Sequence, residues 1–218
     1  MVNAKASEGN AAQTAYRLIK ENILAWQYPP GFQLREIPIS EELGLTRTPV
    51  REAIIKLESE GLVRTFPNRG AFVIKLTLKE VEDLFDVREA LEVKASELAT
   101  RRANREQVDA IREALRKHEE LLNSSESNLY HQPVLDFHEA LMGLSQNEPL
   151  MELWRDLRSK LLLARSTSAQ MGRRYLTALN EHKKILQLIQ DGDAGNVREL
   201  LIDHIAQAKH NVFARWRN

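Results

Sequence analysis

The chain is written in two grammars that change over near Lys75, and no single regular architecture accommodates both. Five of its seven prolines (Pro29, Pro30, Pro38, Pro49 and Pro67) fall before that point, and the elements they leave room for are short. Beyond it, long stretches repeat apolar residues at helical spacing with few breakers. Thr77–Glu80 has the form Thr-x-x-Glu, a capping box placed to open a long helix straight after the change. The sequence therefore predicts an N-terminal domain over residues 1–76 and a C-terminal domain over residues 77–218.

In the first part, Ala12–Trp26 predicts a helix with Ala15, Leu18, Ile19 and Ile23 on one face, stopped by Pro29-Pro30-Gly31. A short helix over Pro38–Leu43 ends at Gly44, and a longer one over Arg47–Glu60 ends at Gly61. Leu62–Phe66 and Ala71–Lys75 flank Pro67-Asn68-Arg69-Gly70 as strand, turn and strand. Helix, short helix, turn, second helix and hairpin make a winged helix-turn-helix. The second part predicts six helices: Leu78–Ala103, Arg105–Asn123, Pro133–Ser145, Glu148–Ser168, Arg173–Gln190 and Ala194–Arg215. The expected fold is mainly α, a winged helix-turn-helix followed by an all-α helical bundle.

Composition excludes several chemistries. There is no cysteine, which removes disulfide scaffolds, thiol nucleophiles and iron–sulfur ligation. No apolar run approaches the ~18 residues of a membrane span, so a cytoplasmic protein with no membrane partner is expected. The 31 basic and 31 acidic residues cancel, yet residues 46–75 hold six basic side chains against three acidic ones. Those basic groups gather at a helix start and at the hairpin.

Thr46 stands at the N-cap of the Arg47–Glu60 helix, and Pro49 falls in its first turn, where backbone N–H groups lack intrahelical partners. Val50, Ala53, Ile54 and Leu57 take the inward stripe. Arg47, Thr48 and Arg51 project from the opposite face at the N-terminal end, the end that meets base edges in helix-turn-helix readers. A guanidinium there can pair with guanine O6/N7 or with phosphate, and the Thr46 hydroxyl can donate to phosphate. Arg69 and Gly70 lie at the hairpin tip, suited to the minor groove or the backbone.

These residues carry a resemblance. Tyr28-Pro-Pro-Gly31, Leu34-Arg-Glu36, Leu43-Gly-Leu-Thr-Arg-Thr-Pro-Val-Arg-Glu-Ala53, Leu57-Glu-Ser-Glu-Gly-Leu-Val63 and Pro67-Asn-Arg-Gly70 closely resemble the GntR family of bacterial transcription regulators. The resemblance implies a repressor that binds a short palindromic operator in double-stranded DNA as a homodimer. It also implies DNA contacts from Thr46, Arg47, Thr48, Arg51, Arg69 and Gly70. Where many relatives carry a basic or polar residue before the second helix, this chain has Ile37 and then Pro38, so no phosphate contact carries over there.

In the second part, His138, His182 and His204 each fall on the apolar face of a different predicted helix. Three inward imidazoles could hold a divalent metal at about 2.0–2.1 Å with coordination positions left open. His118 is also inward by phase, so phase alone does not make a ligand. Arg88 falls in the stripe of Val81, Leu84, Phe85, Leu91, Ala95 and Leu98, with Glu92 one turn on. It reads either as a clamp for an effector carboxylate or as one half of an Arg88–Glu92 pair with no ligand role. Trp154, Tyr175 and Trp216 have no phase that separates site lining from ordinary packing.

Leu78–Arg101 with Val87-Arg-Glu-Ala-Leu-Glu92, then Phe137-His138, Glu181-His182 and His204, resembles the FCD ligand-binding domain of the FadR subfamily, the six helices favouring its VanR-type variant. Metal-binding members use an Asp-x-x-x-His pair and two later histidines. His138, His182 and His204 match the histidines, whereas Val134 stands where the carboxylate would be, and Asp136 should face away by helical phase. The resemblance implies a small carboxylic acid effector and a divalent ion, zinc for preference, held by three imidazoles. Two alternatives remain at this point. One is a metal-free pocket whose histidines bind the effector directly; the other is a three-His hydrolytic metalloenzyme with a DNA-binding head, although no Glu or Asp base is evident beside the histidines.

Overall fold

The computed structural model describes residues 2–123, 136–166 and 172–216. It divides into two compact units: residues up to Val81 together with the stretch of chain from Asp156, and Glu82–Arg155 together with the last two helices.

The first unit contains α1 (Val2–Leu24), β1 (Gln33–Leu34), α2 (Glu36–Leu43), α3 (Arg47–Ser59), β2 (Val63–Phe66) and β3 (Gly70–Val73). Ala15, Ile19 and Ile23 of α1 and Val50, Ala53 and Leu57 of α3 are buried, as their helical spacing requires. Gly44 closes α2 in the left-handed region at φ 65°, where a Cβ would be strained, and its N–H donates to the Glu41 carbonyl. Pro38 is tolerated because it falls in the first turn of α2, which begins two residues earlier than expected. At the hairpin tip, Asn68 (φ 59°) and Gly70 (φ 85°) take positive φ, and β2 and β3 pair with Thr65 opposite Ala71. The sheet has a third strand that periodicity did not reveal. The two residues of β1 pair antiparallel to β3, Gln33 opposite Phe72, giving the order β1-β3-β2.

The second half of α7 (Glu148–Ser166) groups with this unit, so both units share that helix. There the Ser159 hydroxyl donates to Glu60 Oε2 at 3.2 Å, beside Lys20 Nζ at 2.6 Å, while Tyr16 donates to Glu60 Oε1 at 2.6 Å. Burial pushes the Glu60 carboxyl up, but the bonds from Lys20 and Tyr16 outweigh it and hold it below the usual carboxylate range.

The C-terminal helices are α4 (Leu78–Arg102), α5 (Arg105–Asn123), α6 (Phe137–Leu144), α7, α8 (Gly172–Gln190) and α9 (Ala194–Trp216), six among the described residues. Polar side chains cap them. Thr77 Oγ1 accepts from the Glu80 N–H while Glu80 Oε2 accepts from the Thr77 N–H at 2.7 Å, completing the predicted box. Asn104 with Gln107, Asn147 Oδ1 with the Leu150 N–H, and Asp193 Oδ1 with the Asn196 N–H do the same for α5, α7 and α9. In the second unit α8 packs on α9 and α5, and α5 on α6. Phe85, Leu115, Phe137, Leu141, Met142, Ile185, Leu186 and Leu201 are almost wholly removed from water.

Thr77→Ala removes the hydroxyl that caps α4. A loss of about 1 kcal/mol of stability is expected, read as a lower denaturation midpoint at unchanged helical content.

Candidate functional site

His138 comes from α6, His182 from α8 and His204 from α9, and one ring nitrogen of each lies within 4.8 Å of the others. His138 and His204 are each 4% exposed. His182 Nε2 and His204 Nε2 are 3.4 Å apart, close to the ~3.3 Å that separates two nitrogens bonded tetrahedrally to one zinc ion. Phe137 stacks on the His182 ring at 4.0 Å and 11°, which covers one face of that imidazole.

Two carboxylates orient the other rings. Glu181 Oε2 lies 2.6 Å from His204 Nδ1, which leaves Nε2 facing His182. Glu92 Oε2 lies 2.7 Å from His138 Nδ1. A carboxylate on the far nitrogen fixes tautomer and ring direction and raises basicity, as it does in metal-bound histidines. This corrects the expectation that no acidic group stands beside the histidines. Sequence reading missed Glu181 because it adjoins His182 in the chain but serves His204 on another helix, a pairing that helical phase does not encode. The donor set fits a divalent first-row cation: three imidazoles, two of them backed by carboxylates.

Arg88 belongs to the same cluster. It is 1% exposed and donates from Nε to Glu92 Oε1 at 2.5 Å, so the Arg88–Glu92 pair is present. Its Nη2 also approaches His138, 2.9 Å from Nε2 and 3.1 Å from Nδ1. The guanidinium thus sits against the nitrogen that a cation would use, where Coulomb repulsion would oppose a metal unless an anion lies between them.

Other sequence readings resolve differently. Asp136 lies before α6 rather than within it, and its carboxylate accepts from the N–H groups of His138 and Glu139 as the N-cap. It is turned away from the cluster for that reason, not by phase around a helix. Val134 lies outside the described residues. His118 is buried but outside the cluster, with desolvation lowering its pKa, and His210 is exposed.

In the first unit Thr46 is the N-cap of α3 by backbone geometry (φ −80°, ψ 167°), but its side chain makes no capping bond. Thr46, Arg47, Thr48, Arg51, Arg69 and Gly70 are all exposed. Glu36 spans the two arginines of α3, 3.2 Å from Arg47 Nη2 and 4.0 Å from Arg51 Nε. Gln33 was not singled out from sequence, yet its side-chain amide donates to the Arg69 carbonyl at 2.7 Å and ties the wing tip to β1. Arg69 also lies over the Phe66 and Phe72 rings at 5.8 and 5.9 Å. Among the described residues no helix is long and apolar enough to cross a membrane.

A winged helix-turn-helix with an exposed basic face, followed by helices that bury a histidine cluster, is the two-part layout of a DNA-binding regulator. The sequence matches the gntR family of bacterial regulatory proteins over residues 11–73 and the FCD domain over residues 83–207. The chain belongs to the GntR family and carries an FCD domain. It is 30% identical over 184 residues to the Nta operon transcriptional regulator of Aminobacter aminovorans, covering 84% of this chain and 85% of that one. It is 29% identical to the Uxu operon regulator of Haemophilus influenzae, covering 90% and 80%. Its fold is similar to that of E. coli McbR/YncC at a TM-score of 0.77 and 18% identity, covering 94% and 98%. The protein is a transcriptional regulator of the GntR type with a helical ligand-binding domain.

Arg88→Leu leaves Glu92 charged, buried and short of its strongest partner. A destabilisation of about 3–5 kcal/mol is expected in chemical denaturation, far above the effect of truncating an exposed arginine such as Arg155.

Proposed function

We propose that this chain is a cytoplasmic homodimeric repressor whose C-terminal unit binds a small carboxylic acid beside a divalent ion, zinc for preference, and thereby changes operator affinity. The observation that carries the reading is the buried guanidinium held against His138, one of three clustered imidazoles, which gives an anion a cationic partner out of water. Charge balance points the same way. Arg88, Glu92 and Glu181 together with a divalent ion leave one positive charge, which one carboxylate neutralises. His138, His182 and His204 would hold the ion, Glu92 and Glu181 would orient two of them, and Arg88 would face the acid. The ion would supply a fixed charge and an open coordination position.

A second reading keeps the pocket free of metal, with the acid bound directly by Arg88 and the imidazoles. Its support is the 2.9 Å approach of Arg88 Nη2 to His138 Nε2, the atom a cation would claim.

On the DNA side, Thr46, Arg47, Thr48 and Arg51 at the start of α3 would read bases and phosphates of a palindromic half-site, with Arg69 and Gly70 of the wing along the backbone or minor groove. Two heads on one palindrome have a fixed half-site spacing, so an effector that alters their relative placement alters affinity. Arg47→Ala and Arg51→Ala should each cost about 1–3 kcal/mol of operator binding where the contact is bidentate to a base. Where the contact is to phosphate, each should instead lower the salt slope by roughly one for all sequences. Parent-like binding by both variants would remove α3 as the reader.

Elemental analysis of purified protein tests the sensing unit. His138→Ala, His182→Ala and His204→Ala should each strip the ion, whereas His118→Ala should keep it and lose only packing stability. Full metal content in His182→Ala would eliminate a shared site. A parent that takes up no ion on supplementation but is stabilised by small acids would establish the metal-free reading.

A further inference from the structure

Among the described residues nothing accepts from one buried donor, the indole N–H of Trp154. Its side chain, on α7, is 2% exposed, and among the described residues its indole Nε1 is the one buried side-chain polar atom without a hydrogen-bond partner. Native interiors rarely leave such a group unpaired, since the N–H has given up water and gained nothing. An apolar side chain there would carry no such unpaired donor. The location suggests what the donor is for. The indole ring centroid lies 6.2 Å from that of His138, inclined at 43°, on the histidine whose Nε2 faces Arg88. An orphaned donor on a ring beside the Arg88–His138 contact has the chemistry of half a ligand contact.

We propose that Trp154 reads the effector: its indole N–H donates to an acceptor oxygen of the bound acid, distinct from the carboxylate that faces Arg88. The inference rests on the carboxylic-acid reading above and narrows it. An indole N–H donates only, and neither it nor a guanidinium can accept from an ammonium. This contact therefore favours hydroxy, keto or dicarboxylic acids over amino acids of the same skeleton, whose ammonium would set donor against donor at Trp154. Selectivity should be steep, because a mismatched or missing acceptor leaves the buried N–H unpaired in the complex as well.

The test uses the full-length protein supplied with Zn²⁺ and one three-carbon series of probes: propionate, lactate, pyruvate, malonate and alanine. At least one oxygenated acid should raise the melting temperature and bind tenfold or more tightly than propionate, while alanine should give no shift. In Trp154→Phe that preference should collapse to within about twofold at unchanged metal content, because the variant lacks the donor that discriminates. The chain has three tryptophans, Trp26, Trp154 and Trp216, and Trp154→Phe assigns its indole resonance by deletion in ¹⁵N-labelled protein. That proton should lie upfield, as an unbonded N–H, in the effector-free protein and move downfield when the oxygenated acid is added.

An oxygenated acid that binds parent and Trp154→Phe equally, with the indole resonance unmoved, overturns the proposal and leaves the carboxylic-acid reading intact. An indole proton already downfield and protected in the effector-free protein also overturns it, by revealing an acceptor within the fold. If no acid of the series stabilises the parent, the carboxylic-acid reading fails, and with it the class of ligand assigned to Trp154.

Discussion

A guanidinium held at 1% exposure must be paired, and the pairing of Arg88 organises the sensing unit. Its partners are Glu92, one turn along α4, and His138 of α6, so a single buried charge ties two helices and directs an imidazole. Glu92 completes the arrangement by bonding the same histidine. An apolar pair of similar volume would serve stability as well or better, because removing two ions from water costs several kcal/mol each before their attraction is counted. The expense is intelligible if the positive group is kept dry for an anion. Arg88, which sequence reading left between clamp and internal pair, is therefore paired in a way compatible with both descriptions. The bond to Glu92 fixes its position, and the face toward His138 is the one a ligand would meet.

What was legible in the sequence divides along physical lines. Features fixed by local rules were readable: the capping box at Thr77 and Glu80, the glycine stop after α2, the apolar stripe of α3, and the inward phase of His138 and His204. Features that depend on which elements meet were not. Strand β1 is two residues long, too short for alternation to register, and exists because β3 offers it an edge. Glu181 and Gln33 act on residues far away in the chain, and nothing in their own neighbourhoods signals it. Trp154 falls on a buried stripe like any core aromatic, and only an inventory of donors and acceptors in three dimensions separates it from Leu150 or Leu157. Asp136 shows a third kind of limit. The phase argument excluded it from the cluster correctly in outcome but for the wrong reason, because the helix begins after it and its carboxylate is used as a cap.

On the proposed metal-bound reading, Val134 in the sequence position where the resemblance implies an aspartate would change the electrostatics more than a count of ligands suggests. An aspartate in the inner shell would offset the ion directly, whereas Glu92 and Glu181 act through imidazoles and are spent partly on Arg88 and on ring orientation. Negative charge held beyond the imidazoles attracts a cation less and leaves more of its field for an incoming anion. If ion and acid bind as proposed, such a site would hold the metal less tightly and the effector more tightly, and their occupancies would be coupled, each raising the other's affinity by the same factor.

The DNA-facing unit works under the opposite condition, in water. With equal numbers of acidic and basic residues the whole chain offers little long-range attraction to a polyanion, and salt screens the remainder within about 10 Å. Recognition then depends on where a few exposed cations are held. Glu36 addresses this at small cost. Lying between Arg47 and Arg51, it is a half-buried partner of two exposed guanidiniums, worth at most about 1 kcal/mol, too weak to withhold them from a DNA partner if they meet one as proposed. The Gln33 bond to the Arg69 carbonyl does the same for the wing through uncharged groups. If these side chains meet DNA as proposed, pre-positioning of this kind would reduce the side-chain entropy lost on binding and favour a correct site over random DNA, because only the correct site rewards the held geometry.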